Sequence, residues 1–250
     1  MDFESSKLKQ TSFSNPEEAS FVCDRRSEMP AEFKKSVDRF LRKIAGPSPE
    51  TLFNPWRECD PELDLAKAPT IRRGNLRQYL LAHENAEAIL VGEAAGWAGC
   101  RFTGIPFTGE NLIQGPESLD WAIGRPMKRS SIADKPYKER SATIVWGEIA
   151  GDSRLVLWNA VPWHPFRAGE PLTNRKPKRE EEQAGQEILK SFINLFPKAS
   201  VHAIGRVSQQ TLAQLGFDAG YIRHPSMGGQ KQFCRGMRSL RKSLDRSLTT

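Results

Sequence analysis

The chain has 250 residues, of which 38% are hydrophobic and 27% are charged. This composition is typical of a soluble globular protein, and the length allows one large domain or two small ones. No apolar run approaches the roughly 18 to 20 residues that a membrane-spanning helix needs, and the polar N-terminus lacks the apolar core of a signal peptide. We therefore expect a cytoplasmic protein that does not bind membranes.

The formal net charge is +7, and the excess of basic residues is concentrated in two places. One is the stretch NRKPKR at 174–179, and the other is the C-terminal stretch 230–246. Such clusters favour binding to a polyanion such as a nucleic acid. The alternative is a solvated basic helix face that binds no partner.

The cysteines lie far apart and form no CxxC pair; they are Cys23, Cys59, Cys100 and Cys234. This spacing argues against a zinc ribbon and against a compact redox pair. In a reducing cytosol, four free thiols are expected. We therefore expect no metal site and no cofactor.

The N-terminal part of the sequence predicts one arm and two helices. Residues 1–29 are polar and mixed, which predicts a loosely held arm ahead of a single domain over residues 30–250. The stretch 30–46 opens with proline, closes at glycine and repeats apolar residues at helical spacing, which predicts an amphipathic helix. A proline-rich irregular stretch over 47–69 then leads to a second helix, predicted over 75–84.

From residue 86 onward, buried strands alternate with helices. The strands are predicted at 86–92, 154–161, 200–205 and 219–224. The helices are predicted within 117–150 and over 179–196, 206–216 and 228–248. Such alternation implies right-handed crossovers and a parallel sheet covered on both faces. We therefore expect the α/β class, with a three-layer α/β/α sandwich around a central four-stranded parallel sheet.

Three of the four predicted strands end in loops that carry chemically active side chains. Ligands of parallel sheets bind beyond the carboxyl ends of the strands, so the loops at 92–110, 159–177 and 224–229 are expected to share one site. The first loop contains five glycines and two carboxylates, Glu93 and Glu110. Glycine lets a backbone come close to a ligand.

Each candidate side chain in these loops also has a purely structural interpretation. Asn159 could read the edge of a nucleobase, or it could cap local backbone at the strand end. Phe107 could stack on a flat ligand or cover the core. His224 could face the ligand or be a buried structural histidine, and Gly228 and Gly229 could bring backbone N–H groups to a phosphate.

In combination, three motifs resemble one known family. GEAAG…TGIPFTG, LWNAVPWHP…NRKP and HPS follow the order and spacing of the uracil-DNA glycosylase superfamily, over roughly residues 86–245. The resemblance implies the fold of that family, which agrees with the four-stranded sheet inferred above. It also implies the family's activity, the excision of uracil from DNA.

The resemblance implies roles for individual residues as well. Phe107 would stack on the extruded uracil, Asn159 would read its N3–H and O4 edge, and His224 would stabilise charge that develops on O2. The base pocket and the water site would be formed in the first loop by Gly92, Glu93, Ala94, Gly96 and Trp97. DNA would be contacted by Arg175, Lys176, Ser226, Met227, Gly228 and Gly229. Met227 is a candidate wedge residue, although it could instead face the core.

Departures from the family pattern leave the catalytic carboxylate and the base preference open. Ala94 stands where the best-known class carries its catalytic Asp, so Glu93 is the favoured carboxylate. A thermophile-associated class aligns its acid with Glu110, which is the alternative. Gly96, beside Trp97, stands where the best-known class has a thymine-blocking tyrosine. The CxxC pair of the iron–sulphur class is missing, which predicts that no cluster is bound.

We therefore expect a monofunctional, metal-independent glycosylase that removes uracil from single- and double-stranded DNA. It would act as a monomer, associated with the nucleoid if it is bacterial. Flipping a base costs least in single strands and mismatches, so such DNA should be a good substrate. One alternative is a glycosylase for another deaminated base, such as hypoxanthine or xanthine. The other is a non-catalytic protein that binds damaged or single-stranded nucleic acid.

Overall fold

The structure is a computed structural model that describes residues 31–114, 127–149 and 151–247. The predicted N-terminal arm lies outside these residues, and so does part of the helical region expected within 117–150.

Helices and strands alternate along the described chain. The helices are α1 (Ala31–Ile44), α2 (Ala68–Ala82), α3 (Cys100–Thr103), α4 (Arg140–Ile149), α5 (Arg179–Ile193), α6 (Arg206–Gln214) and α7 (Gln230–Ser247), with a 3₁₀ turn at Glu110–Leu112. The strands are β1 (Leu52–Phe53), β2 (Ala88–Ala94), β3 (Leu155–Val161), β4 (His164–Pro165), β5 (Ser200–Ile204) and β6 (Gly220–Ile222). None of the described helices has the length and apolar character of a membrane span.

Four strands form one parallel sheet in the order β3-β2-β5-β6. Helix α5 packs on β3, α6 packs on β5, and α7 packs on β6. The predicted four-stranded parallel sheet flanked by helices is confirmed. Its register aligns the carboxyl ends of β2 and β3, so that Gly92 lies opposite Asn159 and Ala94 lies opposite Val161.

Helix α1 forms where the sequence predicts it, because its apolar residues recur at every third or fourth position. Val37, Phe40, Leu41 and Ile44 are buried, and the helix packs against α2 and α5. Its exposed face is polar, as expected of an amphipathic helix.

Helix α2 begins at Ala68, well before the predicted start at residue 75. Its first turn accommodates Pro69, because an N–H at that position has no partner within a helix. The early part of the helix buries Arg72 and Asn75 rather than apolar side chains. Hydrophobic periodicity therefore did not reveal it.

A buried ion-pair network joins the irregular stretch before α2 to the loop after β2. Arg72 lies 2.5 Å from Asp64, and Arg101 lies 3.1 Å from both Asp64 and Asp60. Both arginine side chains are fully buried. Removal of one partner from a buried pair typically costs about 3 to 5 kcal/mol, so this network holds α3 and the adjoining loop in place.

A second, smaller sheet was not predicted. Strands β1 and β4 pair antiparallel, with Leu52 opposite Pro165 and Phe53 opposite His164. Each strand has only two residues, which is too short for a period-2 pattern to appear in the sequence. The pair ties the stretch before α2 to the loop that follows β3.

Candidate functional site

A cavity of about 490 Å³ opens at the carboxyl ends of the central strands, and the three loops singled out in the sequence meet there. The end of β2 contributes Glu93 and Ala94, and the loop after it contributes Ala95, Gly96 and Phe107. The end of β4 contributes Pro165, the loop after it contributes Asn174, Arg175 and Lys176, and the loop after β6 contributes His224, Ser226 and Met227. Glu139 and Ser141 complete the lining.

Gly92 allows two site side chains to come together at the end of β2. A Cβ atom at this position would overlap the ring of Phe107 and would lie 2.8 Å from Asn159 Oδ1. Any larger residue would therefore push both side chains away. Gly92 thus shapes the site through the space that it leaves.

Asn159 has an unpaired carboxamide at this point. Only 2% of the residue is exposed, yet no described residue makes a hydrogen bond to its side chain. A buried amide without partners is costly, and buried polar groups are normally satisfied. The geometry therefore does not support the backbone-capping alternative. Asn159 does not itself line the cavity, but at Gly92 it adjoins Phe107, which does.

Phe107 is held beside Asn159 in a rarely adopted backbone conformation. Its φ of +51° lies in the left-handed region, which residues other than glycine seldom occupy. The adjoining turn is braced by Thr103, whose hydroxyl donates to Thr108 O at 2.8 Å. Trp146 Nε1 in turn donates to Thr108 Oγ1 at 3.1 Å. Strain of this kind is common where a side chain is positioned for function.

His224 lies on the other side of the cavity, with its ring centroid 6.1 Å from that of Phe107. The backbone N–H of Ser226 donates to His224 Nδ1 at 3.1 Å, and Ser226 Oγ lies 2.7 Å from the same atom. Because an N–H can only donate, Nδ1 must accept, so the ring proton of the neutral form is on Nε2. Burial and the nearby Arg223 lower the pKa of His224, which favours this neutral form.

Glu93 lines the cavity, is half-buried, and makes no hydrogen bond to any described residue. Burial raises its pKa, and the nearby ammonium group of Lys176 partly offsets this effect. Glu93 is thus a carboxylate available to a ligand or to a water molecule.

Glu110, the alternative carboxylate, does not reach this cavity. It is fully buried, and its oxygens accept hydrogen bonds from Ser130 N at 3.1 Å, Ser131 N at 3.0 Å and Ser131 Oγ at 2.6 Å. Arg129 Nε lies 3.3 Å away and pairs with it as well. These donors engage both oxygens, so the geometry assigns Glu110 to holding the segment 129–131.

The two basic residues predicted to contact DNA differ in their availability. The guanidinium group of Arg175 pairs with Glu181 at 2.6 Å and also donates to the carbonyl groups of Phe166 and Thr51. Arg175 therefore braces the loop and is not free to bind a phosphate. Lys176 is exposed and lines the cavity.

The loop after β6 has a turn that projects from the cavity rim. Met227 is 95% exposed, which excludes the core-facing alternative, and its φ is +50°. Gly228 also has a positive φ, of +73°. A Cβ atom at Gly229 would overlap His224 O, so this glycine is required by the close turn.

Trp97 does not line the cavity, although Gly96 beside it does. Its ring packs nearly perpendicular to that of Tyr137, at a centroid distance of 5.5 Å. Its backbone N–H donates to Asn174 Oδ1 at 2.9 Å. Trp97 therefore links the loops after β2 and β3.

Sequence reasoning missed Glu139, the residue directly before α4. It is a cavity-lining carboxyl whose Oε2 atom is buried without a hydrogen-bond partner. Burial raises the pKa of Glu139 to about 7. Glu139 lies outside the three strand-end loops that topology identified, so no local signal marked it.

The cysteines of the described chain are free thiols, namely Cys59, Cys100 and Cys234. Cys23 lies outside the described residues. Across residues 31–114, 127–149 and 151–247, no group of three or more His, Cys, Asp or Glu side chains is placed to hold a metal ion.

Comparison with known proteins relates this arrangement to one family. The structure is similar to the crystal structure of wild-type SMUG2 from Pedobacter heparinus, with a TM-score of 0.57 and 16% sequence identity, over 86% of this chain and 98% of that chain. At this identity the likeness supports the fold alone. No curated protein matches the chain in sequence. A model of the uracil DNA glycosylase superfamily matches residues 80–241, which include the whole parallel sheet and every cavity residue. The chain therefore belongs to the uracil DNA glycosylase superfamily.

Proposed function

We propose that the protein is a monofunctional DNA glycosylase that extrudes uracil from DNA and hydrolyses its N-glycosidic bond. Water adds to C1′ of the sugar, the bond from C1′ to N1 breaks, and uracil leaves with a proton, so that an abasic site remains. The observation that carries this proposal is a cluster of three side chains. The Asn159 carboxamide and the Phe107 ring meet at Gly92, and the ring centroid of Phe107 lies 6.1 Å from that of His224, which has its proton on Nε2.

Recognition of the base is assigned to Asn159 and Phe107. The Asn159 carboxamide accepts a hydrogen bond from uracil N3–H and donates one to O4. The Phe107 ring, which touches the same glycine, stacks on the base. A ligand that left the buried amide unpaired would be strongly disfavoured.

Bond cleavage is assigned to His224 and Glu93. As the bond stretches, negative charge builds on uracil O2, and the Nε2–H group of His224 stabilises it by hydrogen bonding. Positive charge builds on the sugar at the same time, and the Glu93 carboxylate stabilises that charge and orients the attacking water.

Binding to DNA is assigned to Lys176 and to the projecting turn that carries Ser226 and Met227. The exposed ammonium group of Lys176 is available to a phosphate. Gly228, which is exposed and has a positive φ, lets the turn project toward the DNA strand, while Gly229 allows the close turn beneath it.

Full activity in the presence of an excess of chelator is expected, because cleavage is assigned to side chains alone. The test incubates the protein with matched oligonucleotides that contain uracil, hypoxanthine or xanthine, and then cleaves abasic sites with alkali. We expect strand breaks at uracil, with and without chelator. DNA that is retarded on a gel but remains intact would favour the non-catalytic alternative. Breaks mainly at hypoxanthine or xanthine would favour another base as substrate.

Met227→Ala is expected to slow uracil excision from duplex DNA by about tenfold and to leave single-stranded DNA nearly unaffected. The exposed side chain fills the space left by an extruded base, a task that exists only in a duplex. Single-turnover rates on matched single- and double-stranded oligonucleotides check this. An equal loss on both substrates would remove the wedge role from Met227.

A further inference from the structure

Glu139 brings a carboxyl group into the cavity from an element that carries none of the residues assigned above. It occupies the N-terminal cap position of α4, where its carbonyl oxygen accepts a hydrogen bond from Thr143 N at 3.4 Å. Its side chain lines the same cavity as Glu93, Phe107 and His224.

Two glycines of the loop after β2 make room for this carboxyl group. A Cβ atom at Gly99 would overlap Glu139 Oε2, and a Cβ atom at Gly96 would lie 3.4 Å from Oε1. A side chain at Gly99 would displace the carboxyl group from the cavity wall, whereas a Cβ atom at Gly96 would only be in contact with it. The loop is thus glycine-rich partly to admit Glu139.

Glu139 is half-buried, but its Oε2 atom is buried, and its carboxyl group is much less engaged than those of the buried residues Glu110 and Glu181. Glu110 accepts hydrogen bonds from several donors, and Glu181 pairs with Arg175, which helps to lower the pKa of Glu181 to about 2 against the effect of burial. Glu139 has one weak partner, Ser141 Oγ, at 3.3 Å from Oε1. Its Oε2 atom has none among the described residues.

The ionisable groups around Glu139 do not neutralise its charge by pairing. The charged or titratable groups that line the same cavity or interact with Glu139 are Glu93 on β2, Cys100 on α3, and Arg175, Lys176 and His224 in the adjoining loops. No described Lys or Arg forms an ion pair with it. Burial therefore dominates and raises the pKa of Glu139 to about 7.

The Asn159 carboxamide alone cannot distinguish uracil from cytosine. In one orientation it pairs with N3–H and O4 of uracil, and after a half-turn it pairs with N3 and the 4-amino group of cytosine. No described residue makes a hydrogen bond that would fix this orientation. Discrimination therefore requires a second group of defined hydrogen-bonding character.

We propose that Glu139 is this second group and determines base specificity: its neutral carboxyl group donates a hydrogen bond to uracil O4, where cytosine has an amino group that cannot accept one. The inference rests on the proposed function and deepens it. An ionised Glu139 would instead accept a hydrogen bond from the 4-amino group of cytosine, so the preference for uracil should weaken as Glu139 ionises.

The test measures binding to oligonucleotides that carry uracil or cytosine on a 2′-fluorinated sugar. Fluorine at C2′ disfavours the cationic sugar and so suppresses cleavage. The uracil-to-cytosine preference is measured at about pH 6 and about pH 8, on either side of the pKa of Glu139. Because both bases carry O2, titration of His224 affects both complexes and largely cancels in the ratio. The variants are Glu139→Gln and, as a control, Glu180→Gln at an exposed position, with melting temperatures recorded for each.

For the wild type and for Glu180→Gln, we expect the preference for uracil over cytosine to fall by about tenfold from about pH 6 to about pH 8. The neutral fraction of Glu139 falls by the same factor over this range. For Glu139→Gln, whose amide can donate or accept, we expect a weaker preference at low pH and no pH dependence. If the wild type excises ordinary uracil but Glu139→Gln keeps the wild-type preference at both pH values, the inference is wrong and the proposed function stands. If the wild type excises no uracil, the proposed function itself fails.

Discussion

Asn159→Ala is expected to excise uracil at least about a hundredfold more slowly than the wild type in single-turnover assays. The wild-type carboxamide is buried and unpaired, so its hydrogen-bonding capacity is available to the base. The variant would leave N3–H and O4 of the extruded uracil without the partners that the carboxamide supplies. The penalty is larger in the transition state than in the bound complex, because negative charge spreads over the departing uracil and strengthens the hydrogen bond to O4.

The same variant should retain its fold and its affinity for undamaged DNA. The Asn159 side chain makes no hydrogen bond to the described residues that folding would lose, and phosphate contacts dominate binding to undamaged DNA. Asn194→Ala, at an exposed position at the end of α5, is the matched control. A rate within a few-fold of wild type for Asn159→Ala would remove this residue from the site.

Glu93→Gln is expected to lose about 2 to 3 kcal/mol of transition-state stabilisation, or roughly 30- to 150-fold in rate. The substitution keeps the shape of the side chain and removes the negative charge that faces the developing sugar cation. Glu93 makes no hydrogen bond to the described residues that the variant would lose, so the melting temperature of the Glu93→Gln protein should differ little from that of the wild type. Single-turnover excision and thermal unfolding, measured on the same preparation, separate the two effects.

Glu110→Gln is the paired variant, and it is expected to lower the stability of the fold rather than the excision rate. With its carbonyl oxygen kept toward Ser130 N and Ser131 N, the amide would place its NH2 group against Arg129 Nε and Tyr137 N, which now donate to Oε2 of the carboxylate. A loss of about 1 to 3 kcal/mol in unfolding free energy is expected, with a nearly normal excision rate for the folded protein. If Glu110→Gln is stable but inactive while Glu93→Gln is active, the assignment of the catalytic carboxylate is reversed.

The sheet and the convergence of the loops were predictable because they follow from local patterns and a general rule of topology. Strands such as Leu155–Val161, which is apolar except for Asn159, are short buried runs, and the carboxyl ends of parallel strands meet at one edge. Asn159 and His224 could be placed at that edge from their positions in the sequence alone. The sequence predicts that a glycine at this strand end allows a close approach. It could not identify the side chains that approach Gly92, because Phe107 and Asn159 are distant from it in sequence.

The remaining features could not be predicted because they depend on side-chain contacts between distant segments. Whether Glu110 faces a ligand or a set of backbone donors depends on the path of residues 129–131. The pairing of Arg175 with Glu181 likewise converts an apparent DNA contact into a structural brace. Glu139 reaches the cavity only through the packing of α4 against the glycines at 96 and 99.

The release of free uracil tests the central claim most directly. An excess of wild-type protein is incubated with a uracil-containing oligonucleotide and chelator; free uracil is measured by mass spectrometry and abasic sites by alkaline cleavage. We expect one free uracil for each alkali-labile site, with both products formed far more slowly by Asn159→Ala. Intact DNA and no free uracil, despite binding of the oligonucleotide, would contradict the account.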